Sequence, residues 1–153
     1  MLARLKELFV GKGADEASLG NAEDMQVATA ALLIEAALSD EDFSETERDT
    51  LGAILQRHFS LSEAEAADVI EAAEKSHADT SHLLTFTRVI KENCPIEERS
   101  DIIALMWEIA YADGTLSKFE ANLIRRTCGL IYVSDLESGQ ARKRVMQKLG
   151  VTE

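Results

Sequence analysis

This 153-residue chain has little proline (one), little cysteine (two) and few aromatics (one tryptophan, two tyrosines and five phenylalanines). With Pro95 alone to break a pattern, long helical stretches can run uninterrupted. Cys94 and Cys128 lie far apart, form no C-x-x-C pair and accompany no export signal, so neither a disulfide framework nor a thiolate metal site is expected. A reducing cytoplasm is the expected compartment. No apolar run approaches the roughly 20 residues that a bilayer-spanning helix needs. Positive charge is also in deficit: 16 Lys and Arg stand against 28 Asp and Glu, a net charge of −12. That excludes nucleic acid and anionic lipid as primary partners. No phosphate-binding glycine loop, dinucleotide fingerprint or Ser-His-Asp order is present, so the chain is expected not to be an enzyme.

What is there is helix. Apolar residues make up 46% and charged residues 29%, enough for one self-sufficient core. Leu2, Leu5, Leu8 and Phe9 recur at helical spacing, and Gly11, Gly13 and Gly20 follow, so residues 1–23 read as a short amphipathic helix and a linker. That helix is expected to pack on the body, with membrane-surface contact by residues 1–10 as the lesser alternative. Residues 24–153 read as one helical domain, with helices predicted at about 24–39, 45–58, 63–76, 79–92, 96–112, 117–130 and 135–148. Stripes at Leu51, Ile54, Leu55, His58 and Phe59, at Ala66, Val69, Ile70 and Ala73, at Leu83, Phe86 and Ile90, and at Phe119, Leu123 and Leu130 give each helix a face to bury. His58 is accordingly expected to be partly buried. Ser44…Glu47, Ser62…Glu65, Ser117…Glu120 and Ser134…Glu137 each fit the S-x-x-E capping box that opens a helix.

A shift of 73 residues lays Leu32–Glu47 over Leu105–Glu120 with apolar residues on apolar ones; Glu35/Glu108, Asp40/Asp113, Ser44/Ser117 and Glu47/Glu120 coincide. This self-similarity predicts an all-α, single-domain bundle of about seven to eight helices with an internal pseudo-two-fold repeat, its copies at about 24–78 and 96–150. The stretch W-E-I-A-Y-A-D-G-T-L-S-K-F-E, from Trp107 to Glu120, resembles the signature of the TerB-like, tellurite-resistance-associated family. The first copy departs from that signature at Glu41, where the pattern has glycine. The resemblance implies an all-α domain in which the signature joins two helices and its acidic residues bind metal. It further implies a stress-response setting and no settled enzymatic activity.

Glu35 and Glu108 fall within the most apolar segments of the chain, where a carboxylate is costly unless paired, protonated or bound to a cation. Asp40 and Asp113 follow at helix C-terminal ends, where the macrodipole disfavours negative charge. Glu47 and Glu120 open the next helices. Six carboxylates so placed could supply oxygen ligands to Ca²⁺, Mg²⁺ or Mn²⁺ in preference to Zn²⁺. Twelve positions from Asp40 or Asp113 end at Leu51 or Ile124 rather than at glutamate, so the loop is not an EF-hand. The plainer alternative is that these groups only cap helices, hold turns and pair with neighbouring helices.

His77 and His82 lack the i, i+4 spacing of a helical metal pair, and Cys94 has no base beside it in sequence. Residues 1–80 carry 18 acidic and 6 basic residues, whereas residues 81–153 carry 10 of each. A protein partner or a homodimer held by opposite charge is therefore expected.

Overall fold

The computed structural model describes Leu5 and residues 22–39, 43–77, 83–112, 114 and 116–151, with the side chains of 22–24 and 76–77 left aside. Among these residues the chain forms seven α-helices and no strand: α1 (Ala22–Leu38), α2 (Glu45–Phe59), α3 (Glu63–His77), α4 (Leu83–Asn93), α5 (Arg99–Ala110), α6 (Lys118–Ile131) and α7 (Asp135–Leu149). The first predicted helix falls outside the described residues except for Leu5, which is helical and fully buried in the core.

Two helices are apolar on nearly every side and occupy the centre. Every residue of α1 from Val27 to Ala37 is buried, and α5 buries Ile102, Ile103 and the run Met106–Ala110. A helix without a polar face must be enclosed by others. Accordingly α1 touches α2, α3, α4 and α5, while α5 packs most closely on α7 and also meets α6 and α2. The outer helices carry one apolar stripe each, as expected for α3 (Ala66, Val69, Ile70, Ala73) and α4 (Leu83, Phe86, Ile90).

Two stripe assignments need correction. In α6 the buried face is Ile124, Thr127, Cys128 and Ile131, and Phe119 is exposed. Five residues separate Phe119 from Ile124, which turns it roughly 140° away on a 3.6-residue helix. His58 is exposed as well, because its neighbour Phe59 takes the buried position at the end of α2.

All four predicted capping boxes form. Ser44, Ser62, Ser117 and Ser134 each accept a hydrogen bond from the backbone N–H three residues on, at 3.0–3.1 Å, and the glutamate there returns the favour to the serine N–H. The helix ends are closed less predictably. A short 3₁₀ turn, Ile96–Glu98, follows Pro95, and α5 begins only at Arg99. Arg99 is buried and donates from Nε to the Cys94 carbonyl (3.0 Å), from Nη1 to the Ile131 carbonyl (3.0 Å) and from Nη2 to the Lys91 carbonyl (2.7 Å). One guanidinium thus satisfies the terminal carbonyls of both α4 and α6, the groups a helix C-terminus leaves unpaired.

Arg99→Leu would strand those buried carbonyls and is expected to cost roughly 3–5 kcal/mol. Arg99→Lys should recover only part of this, because an ammonium lacks the planar fork. Urea unfolding checks both, against an exposed control, Arg125→Gln, expected to stay within about 0.5 kcal/mol of the parent.

Candidate functional site

Each capping-box glutamate is fixed twice, by its place on the helix and by its serine. Glu47 Oε1 accepts from the Ser44 N–H (3.3 Å) and hydroxyl (3.1 Å), and Glu120 Oε1 accepts from the Ser117 N–H (3.2 Å). Both residues border a single cavity between α1 and α5, lined also by Leu33, Ala36, Ala37, Met106, Ile109, Ala110, Leu123 and Ile124. Four pairs in that lining, Leu33/Met106, Ala36/Ile109, Ala37/Ala110 and Glu47/Glu120, are related by the 73-residue shift. The space is about 30 Å³, room for roughly one or two water-sized species and no organic molecule. Glu47 is buried at 4% exposure and Glu120 half-buried, so two acidic residues border an otherwise apolar hollow.

The other candidates are placed elsewhere. On α1 and α5 the cavity face runs through positions 33, 36, 37 and 106, 109, 110, and Glu35 and Glu108 project from other sides of those helices. Glu35 is buried in the body of the bundle, where the Ser39 hydroxyl donates to its backbone carbonyl at 2.8 Å. Glu108 faces the far side of α5. Its Oε1 accepts from Arg57 Nη2 and from Lys148 Nζ, each at 3.2 Å, so α2 and α7 both grip α5 through one carboxylate. Asp40 and Asp113 lie outside the described residues. Among the described residues no group of three or more His, Cys, Asp or Glu side chains comes together as a metal-binding set.

The remaining signature residues serve packing. Trp107 and Tyr111 stack with ring centroids 6.1 Å apart, and Arg142 of α7 lies over both rings while its Nε donates to the Tyr111 hydroxyl at 2.6 Å. Trp107 Nε1 donates to the Ser138 hydroxyl at 3.2 Å. Trp107, Glu108 and Tyr111 therefore form the seam that docks α7 on α5. Sequence reading missed Arg142 and Arg57 as partners, since nothing local marks a cation that reaches across the fold.

The family model described as tellurite resistance protein TerB matches residues 26–143. The chain belongs to the TerB family. The match covers the cavity, its two glutamates and the Trp107–Tyr111 seam, and it makes this a tellurite-resistance-associated, all-α domain. No curated protein and no solved structure matches the chain. No helix among the described residues of this TerB domain is long and apolar enough to cross a membrane.

Neither thiol of the TerB domain is poised to react. Burial pushes Cys94 up from the ordinary thiol range, with Glu98 adding to it against the opposing pull of Arg99. Burial likewise raises Cys128, against a lowering hydrogen bond with Ser138. A raised pKa means less thiolate at a given pH, so both cysteines should resist a thiol-specific disulfide reagent at neutral pH in the folded protein and react promptly in denaturant. Fast labelling of the native protein would contradict this assignment.

Glu108→Gln leaves Arg57 and Lys148 side by side without their counter-charge. Both cations are half exposed, so solvent screens the loss, and a cost of about 1 kcal/mol is expected in urea unfolding.

Proposed function

We propose that this TerB domain is a non-enzymatic divalent-cation-binding module that holds its ion between the first turns of α2 and α6. Glu47 and Glu120 supply carboxylate oxygens from those turns, and water completes the shell. The observation that carries this reading is the convergence of Glu47 and Glu120 on one small cavity lined by residues in the 73-residue register. Two carboxylates beside an apolar wall repel each other and lose hydration, and a cation between them relieves both costs. The donor set is oxygen throughout, which suits Ca²⁺, Mg²⁺ or Mn²⁺ better than Zn²⁺. The space accommodates an ion with a water and nothing larger. A bound ion would supply charge and cross-linking rather than chemistry: it would tie the start of α2 to the start of α6.

Glutamine also serves at the third position of a capping box, so Glu47→Gln and Glu120→Gln remove charge while keeping the helix starts. In the parent, a cation at about 100 times its Kd should add about 2.7 kcal/mol, a rise in Tm of roughly 5–10 °C. The double variant should show no rise, and Glu108→Gln should keep the full rise because its carboxylate serves Arg57 and Lys148. Melting curves with and without each ion decide it. No shift with any of Ca²⁺, Mg²⁺, Mn²⁺ or Zn²⁺ leaves helix capping as the whole role of these glutamates.

A further inference from the structure

The 73-residue register makes α3 and α7 counterparts, each the third helix of its half, yet their exposed faces carry opposite charge. On α3 the solvent face presents Glu63, Asp68, Glu71 and Glu74; Glu71 pairs with Lys75 and Glu74 with Arg48 of α2, which leaves the face net acidic. Glu45 and Asp49 of the adjoining α2 extend the acidic surface. On α7 the solvent face presents Lys143, Arg144 and Lys148 in the last turns, against Asp135 in the first, and α6 adds exposed Arg125 and Arg126. Beside α7 runs an open cleft of about 420 Å³ lined by Arg144, Lys148 and His58, by the acidic Asp101 and the already paired Glu108, and by Ala104, Leu105 and Val145.

Exposed Ala64 and Ala67 leave a low ridge along α3, over which another helix can approach closely. On α7, Leu136 is 72% exposed in the first turn and offers an apolar contact there. A molecule of net charge −12 repels its copies in most orientations. The orientation that sets α3 against α7 is attractive, and a two-fold pairing satisfies it twice, once in each direction.

We infer that the α7 face and its cleft receive the acidic α3 face of a second copy of this chain, giving a reciprocal, charge-locked dimer. Asp68 and Glu71 of one protomer enter the cationic rim formed by Lys143, Arg144 and Lys148 of the other. The pairing uses none of the cavity residues, so it stands or falls independently of cation binding.

Sedimentation velocity of the full chain tests this at about 0.01 M and about 1 M salt, where the Debye length falls from about 30 Å to about 3 Å. A dimer at low salt whose dissociation constant rises at least tenfold at high salt is expected. Asp68→Lys with Glu71→Lys should be monomeric, as should Lys143→Glu with Arg144→Glu; all four sites are exposed, and circular dichroism checks that each variant stays folded. Mixed together, the two monomeric variants again present opposite charges in both contacts and should form a heterodimer. A parent chain that is monomeric at low salt, a dimer indifferent to salt or to both reversals, or a mixture that stays monomeric overturns the proposal.

Discussion

A glutamate at the third position of a helix, pinned to its own N-cap serine and pressed against an apolar wall, is the constraint on which the functional reading of this domain depends. The capping box performs two tasks at once. It satisfies N–H groups that would otherwise lack partners at the helix start, and it fixes where the carboxylate goes. In α2 and α6 the serines are Ser44 and Ser117, and the direction they impose carries Glu47 and Glu120 to the same hollow between α1 and α5. Ser62–Glu65 and Ser134–Glu137 make the same box, and neither Glu65 nor Glu137 lines that hollow. What distinguishes the first pair is the wall behind them, not the motif.

That wall exists because α1 and α5 are apolar almost all round. Such helices can only sit in the middle, and the five other helices among the described residues are arranged by the need to cover them. The cover is held by the apolar stripes of the outer helices and fastened further by cations. Arg99 closes the ends of α4 and α6, Arg142 lies over Trp107 and Tyr111, and Arg57 with Lys148 holds Glu108. A chain rich in acid thus places its scarce basic residues where they join elements distant in sequence.

Local features were legible in the sequence and long-range partnerships were not. The helices of α1 to α3, α6 and α7 and all four capping boxes follow from periodicity and the S-x-x-E pattern, because both are signals within one turn or two. The TerB resemblance was legible in Trp107–Glu120 for the same reason. Phe119 and His58 were assigned to buried faces because apolar or ambivalent residues near a stripe look alike until the helix rotation is known. Glu35 and Glu108 drew attention correctly as carboxylates in apolar helices. The sequence could not tell that Arg57 and Lys148 already answer Glu108, since they lie 51 and 40 residues away. Among the four candidates that lie in the described residues, the separation of Glu47 and Glu120 from Glu35 and Glu108 is a matter of helix face, which a one-residue rotation decides.

Paramagnetic broadening by Mn²⁺ tests the convergence of Glu47 and Glu120 most directly, since it reports where an ion sits without relying on stability. Substoichiometric Mn²⁺ should broaden the amide signals of the first turns of α2 and α6 together, before those of the exposed acidic helix α3. Broadening confined to α3, or spread over the acidic surface with the two first turns untouched, would contradict the account.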